Sequence, residues 1–243
     1  MAGTRLAKTT WRTRALLLRR TPLREVDLIV ELFTEQSGSV SAVARGARRS
    51  ARRFTGLEPM HLLRVSLDVS PSRELATLTD ATLEKPRLVL TGSLARMEAA
   101  GRALRWLRRA APPRSPEPSM WSEINALLET LDDPSVDEAR IAAITASSGL
   151  RFLAIAGWAL ELDHCVRCGK LCPPRASAVI DVRAGGVVCL SCGGHGPRIR
   201  AALRLAMIAA MQDDTALTHK RDADTVLDLV EAALNAHARG DAT

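Results

Sequence analysis

Up to about residue 82 the apolar positions recur every second residue, the period of half-buried strands. Val26, Leu28, Val30 and Leu32 share one face of such a strand. On another, Leu63, Val65, Leu67 and Val69 lie opposite Arg64, Ser66, Asp68 and Ser70. Adding Arg14 to Arg19, Gly38 to Arg45 and Arg73 to Asp80 gives five short strands, with turn signals at Pro22, Ser37-Gly38 and Pro71-Ser72. Five strands of this length predict a small Greek-key barrel, in which closure removes the exposed sheet edges.

Beyond Pro86 the period lengthens to that of helices. Leu94, Met97, Gly101 and Leu104 are expected on one face and Arg102, Arg105 and Arg109 on another, while Val226, Val230, Ala233, Leu234 and His237 repeat at helical spacing near the end. Further helices are predicted at about Trp121–Leu131, Val136–Leu162 and Arg198–Asp213. Pro112, Pro113, Pro116 and Pro118 cannot continue a helix, so Ala111 to Ser119 reads as an exposed connection. The expected fold class is therefore α+β and multi-domain: a five-stranded barrel of the oligonucleotide-binding (OB) type over residues 1–82, then a helical domain over residues 83–243.

The helical half is interrupted by Cys165-x-x-Cys168 and Cys189-x-x-Cys192, with Gly169 and Gly193 directly after each pair. A C-x-x-C turn points two thiolates at one metal, and two such knuckles predict a zinc ribbon at about residues 163–198 holding one Zn²⁺. Four thiolates leave no position for water, so the metal is expected to be structural. Disulfides or a metal-free reduced pocket are the alternatives. Cys172 is expected as a spare thiol on the ribbon's loop, and His164 and His195 are expected outside the ligand set.

Composition narrows the classes. The chain has 243 residues, 47% of them apolar, and its longest uncharged apolar run, Phe152–Leu160, is far shorter than the ~20 residues of a membrane span. With no recognisable targeting segment, a cytoplasmic location is expected and a membrane partner is not. The net charge is +7, yet Met1–Phe54 alone holds 12 Lys and Arg against 4 Asp and Glu, so the whole excess lies in the barrel half. Five of these arginines, Arg45, Arg48, Arg49, Arg52 and Arg53, fall within ten residues that contain no acidic residue. Guanidinium groups at that density repel one another, and a row of phosphates compensates them through paired hydrogen bonds. They are the principal candidate phosphate contacts to nucleic acid, with Arg12, Arg14, Arg19 and Arg20 as secondary ones; a solvated basic loop is the plainer alternative. Only Trp11, Phe33 and Phe54 offer aromatic rings in the barrel region, so base stacking is scarce and phosphate-dominated binding is expected, with little preference between single strand and duplex.

No nucleotide-binding glycine loop, metalloprotease helix or deaminase signature is present, and no catalytic residue is assigned. Asp27, Glu31 and Glu35 are expected on the solvated outer face of the barrel rather than in a nuclease site.

Several runs carry a more specific likeness. Leu18-Arg19-Arg20, Glu25 through Thr34, Ala42 through Arg49, Phe54, Gly56 through Pro59, and Arg73 through Leu78 resemble, in order, the RecO family of bacterial DNA repair proteins. The helical region with its four-cysteine ribbon is similar to that family in plan. The resemblance implies a non-enzymatic recombination mediator of the bacterial nucleoid. Such a protein binds single-stranded and double-stranded DNA, anneals complementary strands, and contacts the C-terminal tail of single-stranded DNA-binding protein (SSB). It acts with RecR to help RecA replace SSB on DNA. An SSB tail is acidic with a hydrophobic end, so the Arg102, Arg105 and Arg109 face is a candidate dock, with a solvated helix face as the alternative. A zinc-ribbon adaptor or transcriptional regulator acting mainly through protein contacts is the competing function.

Overall fold

The structure, a computed structural model, describes residues 9–50, 52–70 and 74–238. It divides between Ser122 and Glu123 into two compact units.

In the first unit, β1 (Thr9–Leu23), β2 (Asp27–Thr34), β3 (Gly38–Ala44), β4 (Leu62–Val69) and β5 (Ala76–Lys85) close into a barrel in the order β1-β2-β3-β5-β4. All neighbours are antiparallel except β3 and β5, which close the barrel in parallel through Ala42–Ala44. Of the alternating residues, Leu28, Val30, Leu32, Leu63, Val65, Leu67 and Val69 meet inside as predicted and are joined there by Val40, Ala42 and Leu78, whereas Val26 precedes β2 and is only half-buried. Each such leucine contributes about 2 kcal/mol by leaving water.

β1 breaks the alternation. Its first half pairs with β4 and its second with β2, and the register slips between Leu17 and Arg19, where Leu18 is inserted as a bulge. Leu16, Leu17 and Leu18 are consequently all buried. Ala15 and Leu17 join the barrel core. Leu16 pairs with Phe33 on the opposite face, and the Phe33 ring lies 6.0 Å from that of Trp121. The predicted fifth strand begins later than expected, at Ala76, and continues to Lys85; Pro71, Ser72 and Arg73 lie outside the described residues.

The proline-rich connection is docked rather than free. Arg114 N–H donates to the Ser39 carbonyl at 2.9 Å and Ser39 N–H to that of Pro112 at 3.4 Å, so the loop covers a stretch of β3 that β5 leaves unpaired. After a short α1 (Leu88–Thr91), α2 (Leu94–Ala110) starts at Ser93, whose hydroxyl accepts from Arg96 N–H. Its buried residues are Arg96, Ala99, Ala100, Ala103, Leu104, Trp106 and Leu107, so of the predicted Leu94, Met97, Gly101 and Leu104 row only Leu104 is buried. Leu94 is 68% exposed, because the bulky Trp106 and the small alanines beside it take the inner side.

The division falls within α3 (Pro118–Asp132). The second unit is built on α4 (Ile141–Ile155), packed against α6 (Lys220–Ala238), where Val226, Val230, Ala233 and Leu234 are fully buried as their spacing predicts. α4 is much shorter than the predicted Val136–Leu162 helix. Asp137 caps a separate 3-10 turn at Glu138–Arg140, and the helix stops at Ala156, before the helix-weakening Gly157. α5 (Ala201–Ala210) likewise starts late, because Arg198–Ile199 is drawn into a strand, β8. β6 (Ala178–Asp181) and β7 (Gly186–Val188) complete a small sheet of order β7-β6-β8 between α4 and α5. No helix among the described residues is long and apolar enough to cross a membrane.

Candidate nucleic-acid interface and cysteine cluster

The basic loop leaves β3 at Ala44 and is fastened at several points. Gly46 N–H donates to Asp27 Oδ1 at 2.8 Å, Arg48 N–H to the Val26 carbonyl at 3.1 Å, and Arg48 Nη1 to the Glu25 carbonyl at 3.0 Å. Arg53 Nη2 donates to the Arg45 carbonyl at 3.0 Å, and the Arg53 guanidinium stands 5.2 Å from the centre of the Phe54 ring. Phe54 itself is buried in the barrel core, while the Ala81 N–H donates to the Arg53 carbonyl at 2.8 Å. The result is a tethered turn that projects Arg45, Arg48, Arg49, Arg52 and Arg53, all exposed. Their hydrogen bonds go to backbone carbonyls and, from Arg53 Nε, to the Ser50 hydroxyl at 3.4 Å, none of which neutralises their charge; no ion pair involves any of the five among the described residues.

The strand arginines are different. Arg14 forms a two-pronged pair with Glu35, Nε to Oε2 at 2.8 Å and Nη2 to Oε1, and this bond holds the Glu35 carboxyl below its ordinary range. Arg19 lies 3.7 Å from Glu31, which also accepts from Arg108 Nε at 3.0 Å, and Arg20 Nη1 meets Glu58 at 2.6 Å. Arg12 is exposed without a carboxylate partner among the described residues. Glu31, Glu35 and Asp27 are thus half-buried and engaged, where the sequence suggested a plain solvated face. Arg24, exposed in the β1–β2 turn to which Arg48 is bonded, joins the basic surface; the sequence offered only its place in the basic stretch. On α2, Arg105 and Arg109 are exposed and Arg102 is half-buried.

In the second unit the four predicted cysteines converge. The sulfurs of Cys165, Cys168, Cys189 and Cys192 all lie within 4.8 Å of one another and could hold a metal ion. Gly169 and Gly193 adopt φ of +70° and +61°, which lets the chain turn directly after each knuckle. Cys189 N–H donates to Cys165 Sγ at 3.3 Å, and this bond leads in lowering the Cys165 thiol to about 6. Cys192, whose thiol hydrogen-bonds the Cys189 sulfur, is pushed up to about 12. Four sulfurs at this separation cannot all be thiolates without a cation between them. His164 and His195 are exposed and outside the cluster.

Cys172 is not in the cluster either; it is 5% exposed, and burial pushes its thiol up. Its backbone serves the fold: Cys172 N–H donates to the Asp163 carbonyl at 2.7 Å, and its carbonyl accepts from Arg204. Arg204 on α5, 1% exposed, also donates to the carbonyls of Leu162 at 2.8 Å and Pro173 at 2.7 Å. One buried guanidinium therefore pins both strands of the first knuckle's base to a helix. No spacing or periodicity in the chain marks Arg204 for this role.

Two family profiles match the chain, described as the N-terminal region of recombination protein O over residues 8–87 and its C-terminal region over residues 91–241. The chain is 32% identical over 232 residues to the DNA repair protein RecO of Geobacter metallireducens, covering 93% of this chain and 91% of that protein. It is 31% identical over 238 residues to the DNA repair protein RecO of Thermobifida fusca, covering 93% of each. To the DNA repair protein RecO of Anaeromyxobacter sp. strain K it is 35% identical over 202 residues, 82% of this chain and 77% of that one.

Proposed function

The chain belongs to the RecO family of DNA repair proteins, and from that membership we propose that it is a non-enzymatic recombination mediator. It binds single-stranded and duplex DNA through the phosphate backbone, anneals complementary strands, and works with RecR to help RecA displace SSB in the cytoplasm, at the nucleoid. The observation that carries this reading is the tethered loop whose five arginines are exposed without a carboxylate partner among the described residues. Annealing requires two polyanions to approach, and a fixed guanidinium patch lowers their repulsion without a bond being broken. Arg45, Arg48, Arg49, Arg52 and Arg53 are its main phosphate contacts. Arg12 supplements them, whereas Arg14, Arg19 and Arg20 act only where phosphate displaces a carboxylate. The Arg102, Arg105 and Arg109 face of α2 is assigned to the acidic SSB tail.

Cys165, Cys168, Cys189 and Cys192 are proposed as ligands of one structural Zn²⁺. The donor set suits it: four soft sulfurs, one already favoured as thiolate by a backbone N–H. A bound zinc ion supplies positive charge that lets all four thiols ionise and fixes the two knuckles together.

Titrating a fluorescent oligonucleotide at several salt concentrations tests the function. Neutralising about five phosphates on a duplex gives a logarithmic salt slope near −4 to −5, with no sequence preference and with annealing in the same tube. A slope near zero would overturn the reading. Binding confined to one duplex sequence would instead identify the regulator, and metal-dependent cleavage a nuclease.

A further inference from the structure

Between the basic loop, the adjoining ends of β1 and β2, and residues 54–58 lies a groove of about 530 Å³, within the ~300–1,000 Å³ range of small-molecule sites. Its lining is of two kinds. Leu28, Ala47, Phe54 and Leu57 offer apolar surface, and Arg20, Arg48 and Glu58 offer charge. Leu28, Phe54 and Leu57 line it although each is 9% exposed or less, so they belong at once to the barrel core and to the groove wall.

The two arginines are already positioned. Arg20 uses Nη1 to hold Glu58 at 2.6 Å, with the Leu57 carbonyl also in reach at 3.4 Å, and Arg48 uses Nη1 to hold the Glu25 carbonyl at 3.0 Å. Their remaining guanidinium N–H groups stay available to an acceptor. A carboxylate beside a guanidinium matches the edge of a nucleobase, which always mixes donors and acceptors. Arg48 links the groove to the rest of the loop, whose Arg45, Arg49, Arg52 and Arg53 are exposed nearby in the chain and suit the phosphates on either side of that base.

We infer that this groove receives one unstacked base of single-stranded DNA while the loop arginines grip the adjoining phosphates. The occupant's chemistry follows from the combination: a flat, mostly apolar ring with a polar edge, attached to a polyanion. The inference rests on the phosphate-binding reading above and adds a base-dependent component to it. Duplex DNA, whose bases are stacked and paired, cannot use the groove without unpairing.

The test compares full-length protein on two oligomers of equal length and charge, oligodeoxythymidylate and a chain of abasic sites. The groove predicts that oligodeoxythymidylate binds roughly ten-fold more tightly, the effect of about one accommodated base. Ala47→Leu, which fills the groove, brings that ratio close to one. Arg49→Gln with Arg52→Gln weakens both oligomers alike and leaves the ratio in place. Equal wild-type affinity for the two oligomers overturns the groove while leaving the phosphate reading intact, and it does so even if the Ala47→Leu protein fails to fold. A ratio that survives in folded Ala47→Leu also overturns it. Failure of wild type to bind either oligomer at low salt overturns the phosphate reading, and the groove with it.

Discussion

The basic loop and the cysteine cluster pose the same electrostatic problem with opposite signs. Each gathers groups that the chain does not compensate itself: five charged arginines in ten residues on one side, and on the other four thiols within 4.8 Å that become mutually repelling thiolates when they ionise. They differ in how the charges are arranged. The sulfurs converge on a point, so a single small cation compensates them all. The guanidinium groups are spread along a projecting turn, where a point charge reaches only one or two and a linear polyanion reaches them all. The shape of a charged cluster therefore selects the shape of its counter-charge.

The largest expected effect comes from denying the cysteine cluster its cation. Cys165→Ser with Cys189→Ser, or stripping by chelator, should abolish metal content and lower the melting temperature of the second unit by on the order of 10 °C. DNA affinity should fall only as folding fails. Metal analysis, calorimetry and DNA titration on the same sample check all three, and selective loss of DNA binding in a folded protein would break the comparison.

Next in size is the loop. Replacing Arg45, Arg49 and Arg52 with glutamine should weaken duplex binding by on the order of 100-fold near 0.1 M salt and make the salt slope less negative by about 2.7. The melting temperature should barely move, because these side chains have no carboxylate partner among the described residues.

The strand arginines should behave the other way round. Arg14→Ala removes a guanidinium that Glu35 already occupies, so it should change the salt slope by much less than one contact and cost about 0.2–1 kcal/mol of stability. Denaturant melts paired with binding titrations separate the two behaviours. Smallest of all is a pH effect. Arg14 holds the Glu35 carboxyl below its ordinary range, so the pair's contribution is fully present above the unfolded carboxyl value of about 4.3 and fades as pH falls through the lower folded value. Glu35→Gln should remove this small acid-limb component, which melting curves between pH 5 and pH 2.5 would reveal.

Much of the fold was legible because each barrel strand needs one apolar face, and alternation records that need directly. Val30, Leu32, Val65 and Leu67 sit where their period put them. The failures have local causes. Three consecutive buried leucines in β1 reflect a bulge, which inserts a residue without leaving a period of its own. The overlong α4 arose because Phe152–Leu160 is apolar throughout, and an unbroken apolar run does not say where a helix stops. On α2 the choice of inner face turned on Trp106 and its small neighbours, a matter of fit rather than of hydrophobicity alone.

At the candidate sites the contrast is sharper. Spacing named all four cysteines, since a C-x-x-C turn brings its two sulfurs together by local geometry. Density put the loop arginines ahead of Arg14, Arg19 and Arg20, but could not show that these three meet carboxylates, which lie 21, 12 and 38 positions away in the chain.

The amino-acid order alone thus determined the barrel's strands, the paired knuckles and the surplus of positive charge, all written in short-range patterns of side-chain type. Only the tertiary structure decided which arginines meet a carboxylate, that Arg204 pins the ribbon to its helix, and that a groove opens beside the basic loop. Those outcomes depend on which distant groups the closed barrel and packed helices bring within hydrogen-bond reach, and no local pattern carries that information.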